Sequence, residues 1–403
     1  MLSLGLPLVL LLATSLAAQT VHQVGPGAFA QIQTAINAAS NGDTLVVQSG
    51  TYQPFTLAKD LTITAAPGAN VDVVSTIPAL TLLQPPTQAR LVGLRFRPLF
   101  PVIPHLVRVL GGHVAISDCT IDSGVLSPVF PALLVQNARV AMQRCAVFGG
   151  LMPTGTAAMT GADAVRVVNA SLAAVDCTFQ GGDLSWDFSG PGGHGLHVDS
   201  ADVHLVRCNV LAGGNSPLVA GNAAGDGVHV ASSSHVWIAD SLVRGGDGHA
   251  TAGSAAIRNL GSQPMVIART TLLPGPGSPP GPTTVGPVGS GPLLGHGTTT
   301  PGPVLGTAWT VDYLGTPTTP VLAVWSDRLD AVALPPLLAQ TAWLPLANFA
   351  IAAGGVTDAG GALPFVFPLP ATPALLHLAF FMQGVSGLAL PLAVSPPVGG
   401  VLR

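Results

Sequence analysis

The chain of 403 residues contains no glutamate and a single lysine, Lys59. Glutamate and lysine are the ordinary surface residues of helices, so their near-absence argues against a mainly helical protein. All 18 acidic residues are aspartate, only 8% of the chain is charged, and the formal net charge is -4. The absence of a basic run argues against a nucleic-acid-binding role and a polybasic membrane surface. Long apolar runs are lacking too. Leu6 to Leu12 is short and ends in Ser15-Leu16-Ala17, a small-x-small cleavage pattern, so residues 1–18 read as a secretory signal peptide. The apolar stretch 374–394 is broken by His377, Gln383, Gly384, Ser386, Gly387 and Pro391 and fits two strands around a turn. The expectation is an exported, secreted or cell-surface protein with no integral membrane segment once the signal is removed.

What the chain does contain is glycine (49), proline (37) and 48% hydrophobic residues, a composition of many turns around a real core. It also contains a repeat. VRVLGGHVAISDCTI (107–121), LLVQNARVAMQRCAV (133–147), VRVVNASLAAVDCTF (165–179) and LHVDSADVHLVRCNV (196–210) align, and looser copies follow at 228–243 and 257–272. One position recurs as Leu94, Cys119, Cys145, Cys177, Cys208, Ser241 and Thr270, spaced by 25, 26, 32, 31, 33 and 29 residues. Within a copy, Val107 and Val109 alternate, as do Val114 and Ile116, then Cys119 and Ile121. Period 2 is the strand period. The three-residue step from Ile116 to Cys119 marks a corner. Each repeat is therefore a coil of three short strands, and stacked copies bury one apolar column. The crossover rule makes the coil right-handed.

Ahead of the repeats, Phe29, Ile32, Ala35, Ile36 and Ala39 have helical spacing, as expected of a helix that caps the open end of such a column. The stretch FAQIQTAINAASNGDTLVVQSGTYQPFTLAKDLTITA (29–65) closely resembles the opening of pectin-lyase-like right-handed β-helix proteins, and the repeats to about residue 275 resemble their coils. The resemblance implies an all-β protein: a right-handed parallel β-helix with an N-terminal capping helix over 19–275. It does not settle activity, since that superfamily holds lyases, hydrolases, esterases and non-enzymatic surface proteins. A Pro/Gly-rich linker is expected over 276–305, and a small C-terminal β-sandwich over 306–403. The stretch 354–383 resembles C-terminal modules of exported planctomycete-type bacterial proteins.

Two ladders follow from the alignment. The residue before the cysteine position reads Asp118, Arg144, Asp176, Arg207, Asp240, Arg269, an alternation that self-compensates and favours a register-setting corner ladder over a binding stripe. The cysteines form an inward stack of small buried thiols, although an exported protein could bridge them.

Extra length enters after each Gly-Gly pair (149–150, 181–182, 213–214, 245–246) and before the next first strand. These loops carry Asp163, Asp183, Trp186, Asp187, His194, Asp226, Asp247 and His249. The outward residue of the first strand then reads Arg108, Leu134, Arg166, His197, His229, Arg258. In related polysaccharide-acting β-helices this face forms the substrate cleft, so the resemblance implies contacts from Arg166, His197, His229, Arg258, Trp186 and His194. It places Asp199, His197 and Arg166 in any catalytic role. Asp183, Asp187 and Asp199 could supply oxygen ligands to calcium, though no cofactor is required. The bland alternative is that these residues solvate an exposed strand and make turns. Gly193-His194-Gly195 resembles a polygalacturonase element, but its companion motifs have no match. The expected function is polysaccharide or cell-envelope glycan binding by a monomer. The alternatives are a divergent polysaccharide lyase or glycoside hydrolase acting on acidic glycans, and a structural adhesin or envelope protein.

Overall fold

The computed structural model describes residues 20–75, 80–82, 88–98, 106–124, 130–150, 161–183, 191–215, 223–249, 251–291, 295–298, 303–326, 337–338, 342–344, 350–372, 379–390 and 392–401. The expected signal segment 1–18 and the expected site residues Trp186 and Asp187 lie outside these.

The chain is an all-β protein whose repeats coil into a right-handed parallel β-helix. Among the described residues, three parallel sheets of 9, 11 and 9 strands run its length. In one coil the first strand is Val107–Val109, the second His113–Ser117 and the third Thr120–Asp122. Each pairs in register with its counterpart in the next coil, so Val107 faces Leu133, Val114 faces Val140 and Ile121 faces Val147. Alternate side chains point inward and are fully buried, which builds one continuous apolar column. The helix Ile32–Ala38 closes its N-terminal end with Ile32, Ala35 and Ile36. Lys59 Nζ donates to the carbonyls of Ile36, Asn37 and Ala39, so the only lysine caps this helix.

Two of the coil's three corners carry left-handed residues. Asn137, Asn169 and Ser200 have φ of 52°, 48° and 51° between first and second strands; Asn tolerates this region better than most side chains. Asp118, Arg144, Asp176, Arg207, Asp240 and Arg269 have φ between 43° and 54° at the next corner. They pair in twos. Arg144 Nε and Nη2 donate to both carboxylate oxygens of Asp118 at 2.7 and 3.0 Å, and Arg207–Asp176 and Arg269–Asp240 repeat the fork. The expected pairing of neighbours along this ladder forms. Cys119, Cys145, Cys177 and Cys208 are buried free thiols, and each lies within hydrogen-bonding range of the carbonyl two residues earlier.

The stems of the inserted loops are held by a second zipper. Gly182 N–H donates to Ala162, Gly193 to Gly182, Gly213 to Gly193, Gly225 to Gly213 and Gly246 to Gly225, all at 2.8–3.0 Å. The entering and leaving legs approach so closely that a Cβ at Gly193 would overlap the Ala162 carbonyl, and one at Gly213 the Gly182 carbonyl. The glycine pairs that mark the repeat are thus packing residues.

The expected linker differs. Thr284–Val285 pairs with Ile257–Arg258, and Val288–Ser290 pairs with Met265–Ile267, so the coil stack runs to Ser290. The Pro/Gly-rich stretch supplies turns and two further zipper glycines, Gly275 and Gly281, while Val285 and Val288 supply strand positions. Gly295–Thr298 opens the C-terminal sheets.

The C-terminal part is a small antiparallel sandwich. Gly295–Thr298, Ala308–Leu314 and Ala362–Pro368 form one sheet; Pro320–Ser326, Ala350–Val356 and Ala379–Ser386 centre the other. Trp309 and Trp343 are buried in packing. The module does not stand apart from the β-helix. Val175, Val206, Trp237, Ala239 and Ala268, outward on the second strands, share a core with Trp309, Val311, Tyr313, Phe365 and Met382. Ala115, Ala141 and Ala173 pack likewise with Val324, Trp343, Leu344 and Phe381. Small outward residues such as Ala115, Ala141 and Ala173 let the module approach and bury this second-strand face. Among the described residues no helix is long and apolar enough to cross a membrane.

Candidate functional site

The first-strand register aligns the outward residues Arg108, Leu134, Arg166, His197, His229 and Arg258, one per coil. Spacing along the stack is about 4.8 Å. The stripe expected from the sequence therefore forms. It is less exposed than the sequence suggests: the side chains of His197 and His229 are each 16% accessible. A second column covers them.

That column occupies the position two residues before each first strand, and it reads Asp163, His194, Asp226. Each of these side chains accepts the backbone N–H of its counterpart in the next coil. Asp163 Oδ1 accepts from His194 N at 2.9 Å, His194 Nδ1 from Asp226 N at 2.9 Å, and Asp226 Oδ1 from Ala255 N at 3.2 Å. The stems leave these N–H groups without a main-chain partner, and a buried donor needs one. The residue type is thus set by the backbone: an acceptor is required. For His194 this fixes the neutral form with its proton on Nε2. Burial pushes its pKa down, with Asp163 pulling partly the other way.

The column also feeds the stripe. His197 Nδ1 lies 3.2 Å from Asp163 Oδ2, and His229 Nδ1 lies 2.9 Å from Asp226 Oδ2. Each carboxylate accepts an Nδ1–H, which leaves the Nε2 lone pair of a neutral ring available. Asp226 is the hub. Buried at 3% exposure, it also accepts from Arg258 Nε at 2.7 Å and Ser254 Oγ at 2.5 Å. Burial raises its pKa, but the bonds from His229, Arg258 and Ser254 outweigh that and hold it well below the usual carboxylate range. Asp163 is lowered in the same way, against burial, by His197 and His194. The His194 ring stacks on His229 at 4.4 Å between centroids and meets His197 edge-on at 5.5 Å.

Arg258 is committed to Asp226, whereas Arg166 has no hydrogen bond or ion pair with any described residue, and its Nε is buried without a partner. Asp199 lies at the far end of its strand. Ser232 Oγ donates to it at 2.6 Å and lowers its pKa, with Ser200, His197 and Arg166 adding to the effect. Asp183 Oδ1 accepts from Gly214 N at 2.6 Å. Among the described residues, the groups of three or more whose ligand N and O atoms all lie within 4.8 Å of one another are Asp163, His194, His197 and His194, Asp226, His229. Asp183 and Asp199, expected as calcium ligands, fall in neither.

Around the corner from Asp199 lies a shallow groove of about 530 Å³ lined by Asn137, Arg139, Asn169, Ser171, Ser200 and Asp202.

No protein-family model matches the chain, and no curated protein matches its sequence. Solved structures do. Pectate lyase Pel9A is similar at 11% identity and a TM-score of 0.40, over 62% of this chain and 69% of that one. Tailspike protein 2 from Escherichia coli O157:H7 bacteriophage CAB120 is similar at 9% identity and a TM-score of 0.32, over 92% of this chain and 65% of that one. The enzymatically active domain of tailspike protein 4 from bacteriophage CBA120 is similar at 13% identity and a TM-score of 0.28, again over 92% and 65%. The likeness is one of fold.

Proposed function

We propose that this chain is an exported, monomeric β-helix protein that binds acidic polysaccharide along its first-strand face. The observation that carries the proposal is the in-register stripe Arg166, His197, His229, Arg258, in which the Arg166 guanidinium has no hydrogen bond or ion pair with any described residue. A planar guanidinium suits a sugar carboxylate, and its half-buried setting strengthens the contact. The asparagine and serine groove beyond Asp199 offers hydrogen bonds to sugar hydroxyls.

A second reading, cleavage of the bound glycan, is favoured by the Asp163–His197 and Asp226–His229 pairs. A carboxylate-oriented imidazole is the usual form of a general base. Lys59 caps the N-terminal helix and is not available for that role.

The test is titration with a polyuronate and with a neutral glucan of equal length, at two salt concentrations. The polyuronate should bind, and more weakly at 0.1 M salt than at lower ionic strength, because exposed charges are screened within about 10 Å there. Equal binding of the neutral glucan, or indifference to salt, would reject the acidic-glycan reading. Unsaturated products from the bound polyuronate would establish the second reading.

A further inference from the structure

We propose that His197 and His229 chelate a divalent first-row transition metal, such as Zn²⁺, through their Nε2 atoms. The two residues are register partners on adjacent parallel strands, with both side chains outward. Their Nδ1 atoms are held by different carboxylates, Asp163 and Asp226. This carboxylate–histidine arrangement is the one that orients and strengthens imidazole ligands around metals. The tautomer is set by it, so each Nε2 presents a lone pair. Spacing agrees. Imidazole nitrogens sit about 2.0 Å from zinc, which puts ring centres about 3 Å from it and, at tetrahedral angles, about 5 Å from each other. The observed centroid separation is 5.1 Å.

His194 is excluded as a third ligand in this state. Its Nδ1 accepts the Asp226 N–H, so its Nε2 carries the proton. It serves instead as a neutral wall stacked on His229, and burial keeps it from competing as a cation. Asp163 and Asp226, with Asp199 further along the face, offset the positive charge of the ion and of the flanking Arg166 and Arg258. Two imidazoles leave open positions on the metal, and the nitrogen set selects zinc, nickel or copper over calcium. The inference is independent of the glycan reading, since the metal binds without a sugar.

The experiment is equilibrium dialysis of the untagged protein against Zn²⁺ at neutral pH, with Ca²⁺ as the comparison. One equivalent of Zn²⁺ should bind, and Ca²⁺ should not compete. His197→Ala and His229→Ala should each weaken Zn²⁺ at least tenfold, and Asp163→Asn should weaken it by about 10–100-fold. His113→Ala, on a second strand three coils before His197, should leave it unchanged. A wild-type measurement covers variants that fail to fold: Zn²⁺ should protect His197 and His229, and not His113, from acylation by diethyl pyrocarbonate. Absence of stoichiometric Zn²⁺ binding by the wild type, retention of it in a folded His197→Ala/His229→Ala variant, or uniform acylation with and without Zn²⁺ would overturn the assignment.

Discussion

Replacing Asp226 with alanine is expected to destabilise the protein by about 3 kcal/mol, at the lower end of the range for breaking a buried ion pair. The lower end applies because one partner, Arg258, keeps a third of its side chain accessible and is partly screened. Asp226 accepts from His229, Arg258, Ser254 and the Ala255 backbone, so one deletion strands four donors. Asp226→Asn should cost less, since the amide oxygen still accepts on one side. The same hub gives a pH dependence. Asp226 and Asp163 have depressed native pKa values, so their contribution is present above the unfolded aspartate value of about 3.9 and is lost as the pH falls below it. His194 adds to the loss from higher pH. Its native pKa is also lowered, so below about 6.5 the unfolded chain binds more protons than the native one, and stability falls with pH. Urea titrations at several pH values read both effects. An unfolding free energy for Asp226→Ala within about 0.5 kcal/mol of wild type, the range of an ordinary surface change, would contradict the hub.

Gly193→Ala should be at least as damaging, by about 3 kcal/mol or more, because its Cβ would overlap the backbone carbonyl of Ala162 and no rotamer change can relieve that. Ala162 is itself fixed by the Gly182 N–H, and Gly193 hands on the zipper to Gly182 and Gly213. Strain at one position therefore has no free neighbour to absorb it. Gly289→Ala is the control. Its Cβ would meet only Met265 O, at 3.9 Å, and the substitution should be close to neutral. Thermal melts of the two variants decide. Similar melting temperatures would mean that the stems are looser than the interlocked carbonyls imply.

The coil was legible because its signals are local and repeated. Val107 and Val109, Val114 and Ile116, and the column from Leu94 to Thr270 fix strand period, corner and register without any long-range information. The N-terminal helix was legible for the same reason. The linker was misplaced because 276–290 is written in turn residues, and turns between very short strands look like a loop. The docking of the C-terminal module was missed although its signal is visible: Ala115, Ala141 and Ala173 are outward positions where a solvated strand would carry polar residues. At the site, the stripe itself followed from period 2. The partners did not. Asp163 and Asp226 read as turn residues, and only the stacking shows that they share a position with His194 whose requirement is to accept a backbone N–H.

Under the proposed function, the first-strand face and not the corner ladder meets the glycan. The direct measurement is the affinity of Arg166→Ala and Arg269→Ala for a polyuronate at low ionic strength. Both substitutions remove one positive charge, but Arg269 is neutralised by Asp240 at 2.7 Å while Arg166 has no described partner. The account predicts a loss of about tenfold or more for Arg166→Ala, as for removal of one charge-assisted hydrogen bond, and little change for Arg269→Ala. Equal losses in the two variants, or a larger loss for Arg269→Ala, would contradict it.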